Sequence, residues 1–284
     1  MRILIFGATG LLGKALMAEY RDQPQVVGLG SKDGDIRDSK EVDEIVHRHS
    51  PEWIIHAAAY TDVDGCETNS QLAWDANCSG AVNVVRAASR SGARVLFLST
   101  DYVFDGTKST PYTTTDARAP QTIYGKTKGE AEIQALDLMP ECCVLRTSWV
   151  FGSGGKCFPD TILKLAADRD RIEVVDDQRG CPTYTVDLAR AIRLLTERGA
   201  RGIVHATNLG ECTWFEFARE IAGKAKLATN IVPTTSEKFV RPAKRPKYSV
   251  LSSASLDVMG IQMPTWQDAT TRYLAERAHI RKGA

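Results

Sequence analysis

The stretch RILIFGATGLLG, residues 2–13, decides the fold. Ile3 to Phe6 form a short apolar run with no polar alternation, as in a strand buried on both faces of a parallel sheet. Glycines follow at Gly7, Gly10 and Gly13, and Lys14 to Tyr20 carries a helical pattern. A strand that enters a glycine turn and then a helix N-terminus makes an anion site. Backbone can approach a pyrophosphate there, and the free N–H groups and helix dipole favour its charge. The spacing is G-x-x-G-x-x-G rather than the commoner G-x-G-x-x-G. The candidate dinucleotide contacts in this turn are Gly7, Thr9, Gly10, Leu11, Leu12 and Gly13.

Working outward, Gln25 to Leu29 reads as a second strand, and its end is where a dinucleotide fold selects its cofactor. An acidic residue there takes ribose hydroxyls, whereas a basic one suits a 2′-phosphate. Ser31 and Lys32 stand at that point with no carboxylate until Asp33, which favours NADPH, with NADH as the second option. Helical spacing covers Glu41 to His49, and Trp53 to Ala57 forms a third strand. Small residues Ala57, Ala58 and Ala59 after it leave room for a flat ring. Leu72 to Ser89 reads as one long helix, Arg94 to Leu98 as the fourth strand and Val144 to Thr147 as the fifth. Ile172 to Val175 and Gly202 to Thr207 complete an expected α/β fold: a Rossmann-type doubly wound parallel sheet of about seven strands. Strand–helix alternation fades in the last third. Residues 1–150 are therefore expected to form a dinucleotide-binding domain, with 172–207 returning to the same sheet. A smaller C-terminal substrate lobe is expected from 208–284, with 151–171 contributing.

Composition narrows the function. The 284 residues are 25% charged with a formal net charge of +1, so no nucleic-acid footprint is evident. No apolar run approaches the ~18 residues of a membrane span. Met1 leads directly into a strand, without a charged-then-apolar leader. The seven cysteines include no C-x-x-C pair, which supports neither a zinc knuckle nor a disulfide framework. The expectation is a soluble cytoplasmic protein with buried thiols, a small-molecule substrate, and no membrane or nucleic-acid partner. Oligomeric state stays open, a homodimer being one arrangement.

Tyr124 and Lys128 lie four apart, on one face of a helix. Reduction of a ketone by hydride transfer leaves an alkoxide that needs a proton donor and a hydrogen-bonding partner. A phenol titrates near ~10, and a neighbouring ammonium lowers that value towards working pH. The expected arrangement has Tyr124 as acid and Lys128 acting on it while holding ribose hydroxyls. Thr100, at the end of the fourth strand, would bond the carbonyl oxygen. His56 and His205 sit in strand-like runs and read as core histidines.

These motifs resemble the extended short-chain dehydrogenase/reductases, and more closely the dTDP-4-dehydrorhamnose reductase family. The resemblance runs almost end to end. It rests on GATGLLG from Gly7, Asp35-Ile36, HAAAYTDVDGCE from His56, STDYVFDG from Ser99, YGKTKGE from Tyr124, RTSWVFG from Arg146, DDQRGCPTY from Asp176 and RPKYSVL from Arg245. It implies NAD(P)H-dependent reduction of the C4 ketone of dTDP-4-dehydro-β-L-rhamnose, with Thr100, Tyr124 and Lys128 catalytic. It places Asp35 and Ile36 near the adenine, and Ala57, Ala58, Ala59 and Tyr60 along the cofactor. Val63, Asp64, Thr100, Asp101, Tyr102, Trp149, Gln178 and Arg245 would face the nucleotide sugar, with Arg245 suited to its diphosphate. The family is described with a magnesium requirement, yet no carboxylate cluster in the sequence suits one, and no residue is assigned to a metal. Two alternatives remain. One is a nucleotide-sugar epimerase or dehydratase, although Tyr102 stands where a dehydratase has a second carboxylate. The other is a non-catalytic NADP-binding regulatory subunit resembling the β subunit of methionine adenosyltransferase.

Overall fold

The structure, a computed structural model, describes residues 1–282; positions 283 and 284 of the expected C-terminal lobe lie outside it. The first half of the chain alternates strand and helix. β1 (Ile3–Phe6), α1 (Leu11–Glu19), β2 (Val26–Leu29), α2 (Ser39–His49) and β3 (Trp53–His56) lead to the short helices α3 (Val63–Thr68) and α4 (Ser70–Trp74). A π-helical turn, Asp75–Ser79, then runs into α5 (Gly80–Ser91), followed by β4 (Arg94–Thr100), α6 (Ile123–Leu138) and β5 (Cys143–Thr147). The second half holds β6 (Val150–Phe151), α7 (Phe158–Asp168), β7 (Arg171–Val175), β8 (Arg179–Gly180), β9 (Thr183–Tyr184), α8 (Thr185–Glu197) and β10 (Gly202–His205). It ends with β11 (Cys212–Thr213), α9 (Trp214–Lys224), β12 (Asn230–Thr234), α10 (Ala254–Val258) and α11 (Trp266–Lys282).

Six parallel strands form the central sheet in the order β2-β1-β3-β4-β5-β10. Alternate side chains bury on opposite faces. Ile3, Ile5, Ile55, Leu96 and Leu145 pack with α1 and α8 on one side. Leu4, Phe6, Ile54, Val95, Phe97 and Val144 meet α2, α5 and α6 on the other. This two-sided burial explains why the strands read as continuous apolar runs. The chain winds one way from β1 to β2 and the other way from β1 to β3, so a switch point opens at the carboxyl ends of β1 and β3.

One expectation is corrected and one is refined. The sheet holds six strands among the described residues rather than seven, because β7 pairs with β12 in a separate two-stranded parallel sheet. Only alternate residues of β7, Ile172 and Val174, are buried. They join Phe151, Phe217, Trp266 and Tyr273 in a third core that lies apart from the central sheet. The expected helix from Leu72 to Ser89 is present within a continuous helical stretch from Ser70 to Ser91, widened by a π-turn at Asp75–Ser79. That turn carries Asn77, whose amide accepts from Tyr60 N–H at 2.7 Å and donates to Tyr60 C=O at 3.0 Å, pinning the chain beyond β3.

Helix α9 starts from a reciprocal capping box between Thr213 and Glu216, an arrangement worth about 1 kcal/mol. All seven cysteines are buried and unpaired. Among the described residues no helix is long and apolar enough to cross a membrane.

Candidate active site

Gly7 adopts φ +87°, and a Cβ there would lie 2.6 Å from Ala58 N. At Gly13 a Cβ would fall 2.1 Å from Gly7 C=O, so α1 can sit this close to the turn only without a side chain. No side chain caps α1 at Gly10, and its first-turn N–H groups stay free for an anion.

From this turn a cleft of about 780 Å³ runs in both directions. Towards one end its wall is Ser31, Gly34, Asp35, Ile36 and Arg37; towards the other it is Thr100, Asp101, Tyr102, Tyr124, Lys128 and Trp149. Ala57, Ala58 and Ala59 line the stretch between, with Val63. The free amides, and the glycines whose place no Cβ could take, fit a dinucleotide.

The chemical end is built by β4 and α6. Thr122 caps α6 by accepting from Gly125 N–H, and the helix then presents Tyr124, Lys128 and Glu132 on one face, one turn apart. Burial pulls Lys128 down to about 7, opposed by the Glu132 carboxylate. Its ammonium sits 4.1 Å from the Phe97 ring centre. Burial first, then the Asp101 carboxylate, pushes the Tyr124 phenol well above its ordinary value, with the Thr100 hydrogen bond opposing. The lowering by Lys128 expected from the sequence is not among the main influences here; burial and the Asp101 carboxylate set the direction, which is upward. Asp101 is buried and its carboxyl is pushed up to about 6 by that burial, opposed by the nearby Ser249 and Thr100 hydroxyls.

Behind Lys128 lies a cluster with every partner made. Glu132 accepts from Ser99, from Arg146 Nε at 2.9 Å and NH2 at 2.6 Å, and from Arg118 at 3.2 Å. His56 and His205 are buried and held neutral, each pulled down to about 3 by burial.

Nearly the whole chain, residues 1–279, matches the family model described as RmlD substrate binding domain. The chain belongs to the RmlD family. In this RmlD chain the likeness to individual proteins is also close to full length. A dTDP-4-dehydrorhamnose reductase of Mycobacterium tuberculosis is 40% identical, covering 98% of this chain and 94% of that protein. A dTDP-4-keto-6-deoxy-D-glucose reductase of Streptomyces niveus is 36% identical over 95% of this chain and 96% of its own length. The crystal structure of dTDP-4-dehydrorhamnose reductase from Bacillus anthracis in complex with NADP superposes with a TM-score of 0.94 at 38% identity, covering 97% of this chain and 99% of that one.

The RmlD cleft does not collect every residue singled out from the sequence. Lys32, Tyr60, Asp64, Gln178 and Arg245 are not in its wall. Arg245 and Asp64 instead bind each other across the chain, Arg245 NH2 donating to Asp64 at 2.8 Å, and Arg241 joins them. The hydrogen bond from Arg245 holds the Asp64 carboxyl below its usual range. Trp149 has φ +47° and stacks on Trp214 with ring centres 3.5 Å apart. The cleft adds residues that motif reading passed over: Arg37, Thr61, Ser148 and Lys156. Lys156 follows Gly152, Gly154 and Gly155, a glycine-rich loop whose lysine was the available signal. Among the described residues no group of three or more His, Cys, Asp or Glu side chains could hold a metal, so the magnesium implied by resemblance finds no ligand set.

Proposed function

We propose that the protein reduces the C4 ketone of dTDP-4-dehydro-β-L-rhamnose to dTDP-L-rhamnose, using NADPH in preference to NADH. One observation carries this reading: Thr100, Tyr124 and Lys128 open on the same cleft as the glycine turn. When bound, the reduced nicotinamide supplies the hydride. The turn and the α1 amides hold the diphosphate, helped by Lys156 at the rim. Asp35 and Ile36 flank the adenine, while Ser31, Lys32 and Arg37 serve the adenosine ribose and its phosphate. Ala57 to Ala59 accept flat rings, with Tyr60 fixed behind them by Asn77. Residues 1–150 are the dinucleotide-binding part, and 208–284 with 151–171 the substrate lobe.

Tyr124 enters the reaction as a phenol, the form that can protonate the C4 oxygen. Lys128 holds ribose hydroxyls, and its charge offsets the phenolate left by that transfer. Thr100 bonds the same oxygen. Val63, Asp101, Tyr102 and Trp149 contact the nucleotide sugar, joined by Gln178. Arg245 takes the substrate diphosphate by exchanging the Asp64 carboxylate for phosphate oxygens.

The test supplies protein with the 4-keto sugar nucleotide and NADPH or NADH and follows loss of reduced-nicotinamide absorbance. Consumption that disappears in Tyr124→Phe supports the reading; tight cofactor binding without consumption supports the regulatory-subunit alternative. The Streptomyces niveus match favours a second reading of the sugar. A panel with dTDP-4-keto-6-deoxy-D-glucose beside the rhamnose precursor decides it by kcat/KM.

A further inference from the structure

Thr100 Oγ1 stands between two acids. It donates to Asp101 Oδ1 at 3.0 Å, accepts from Tyr102 N–H at 3.2 Å, and lies beside the Tyr124 phenol in the cleft wall. With its one proton committed to Asp101, the Thr100 hydroxyl has none to offer elsewhere until that carboxyl is protonated. Asp101 is 2% exposed, lines the cleft, and leaves Oδ2 with no hydrogen-bond partner. A buried carboxylate with an orphaned oxygen is costly, and binding a proton relieves the cost. Among the described residues no cation pairs with it. Ser249 from the C-terminal segment, Cys181 from the β8–β9 connection, Tyr102 from its own turn and Tyr124 from α6 face it. Lys128, the cation on the same helix as Tyr124, lies over the Phe97 ring and in the field of the Glu132 carboxylate. Arg245 and Asp64 act on Tyr102 beyond it.

We propose that Asp101 stores the proton that restores Tyr124 after each turnover, passing it through the Thr100 hydroxyl. This deepens the reductase reading above and rests on it. Once Tyr124 has protonated the C4 oxygen, a buried phenolate remains. The Asp101 O–H proton moves to Thr100 Oγ1 while the Thr100 proton moves to the phenolate oxygen. Two O–H bonds break and two form, no electrons change hands, and Asp101 is left as carboxylate. Solvent reloads it after product leaves. The direction is downhill: burial raises Asp101 only to about 6, and it raises the phenol much higher. For this proton, Asp101 acts on the reacting C4 oxygen through Thr100 and Tyr124.

The experiment is stopped-flow reduction by the full chain, with NADPH and the 4-keto sugar nucleotide, comparing wild type, Asp101→Asn and Asp101→Glu. Tyr124 starts protonated, so Asp101→Asn is expected to slow its first turnover far less than the later ones. Later turnovers then run about tenfold slower or more, giving a burst of NADPH loss. Asp101→Glu restores part of the later rate. Wild-type kcat falls as pH rises through about 6, and that limb vanishes in Asp101→Asn. A first turnover slowed as much as the later ones, or an unchanged rate and pH profile, overturns the relay. Wild type alone supplies an independent check: kcat in mixed light and heavy water should follow a curved proton inventory, and a straight line rejects two protons in flight. If wild type consumes no NADPH with either keto sugar, the reductase reading itself fails. Wild-type turnover with an unaffected variant removes only the relay.

Discussion

Ser99 and Thr100 are neighbours at the end of β4, and their side chains leave the strand in opposite directions. Each reaches a buried carboxyl. Behind the sheet, Ser99 meets Glu132, where both oxygens are paired with guanidinium groups. On the cleft side, Thr100 meets Asp101, where one oxygen is bonded and the other has no partner. Burial is almost the same, 0% exposed for Glu132 and 2% for Asp101, so burial does not separate scaffold from chemistry. Pairing does. A fully satisfied network fixes geometry, and an incompletely satisfied one keeps a proton available.

The largest break in this comparison is on the cleft side. Tyr124→Phe should lower kcat about 10²–10⁴-fold, measured by NADPH oxidation, with the thermal midpoint unchanged. The mirror-image result is expected from Glu132→Ala, which leaves Arg146 buried without its counterion. It should cost about 3–5 kcal/mol in a urea titration, because the loss of one partner exposes the other's desolvation penalty.

Asp101→Asn should do the opposite and stabilise the cofactor-free protein near pH 7.5. Asp101 binds its proton at about 6 when folded against 3.8 ordinarily, so its favourable contribution is full below ~4 and is lost as pH rises through 6. At pH 7.5 the ionised carboxyl opposes folding by up to about 3 kcal/mol, which the amide removes. The gain in urea-midpoint stability should shrink to nothing below pH 4. Smallest of the four, Ser99→Ala should cost about 1–2 kcal/mol in the same titration while kcat stays at the wild-type value.

Much of this was legible in the primary structure because it is local. Two-sided burial makes β1, β3, β4 and β5 read as apolar runs, and the glycine turn is fixed by sterics at Gly7 and Gly13. Tyr124 and Lys128 follow from helical spacing alone. What escaped depends on distant partners. β7 looks like another sheet strand until β12, which carries Pro233, is seen beside it. Asn77 sits in a π-turn that widens the helix where its amide meets Tyr60. Asp64 and Arg245, expected to face substrate separately, sit 181 residues apart in sequence and bind each other. The upward shift of the Tyr124 phenol escapes for the same reason. The spacing to Lys128 is visible in the chain, whereas desolvation and the Asp101 carboxylate arise only on folding.

The seven buried cysteines have a practical consequence. Burial raises Cys66, Cys78 and Cys181 to about 11, leaving few reactive anions at neutral pH even where a reagent could enter. Alkylating agents should therefore pass over the native chain and mark only molecules that have opened. Mass increments of the label, read against time, would turn these side chains into a built-in clock for unfolding. Each one could be timed by peptide, showing whether the central sheet and the C-terminal core come apart together.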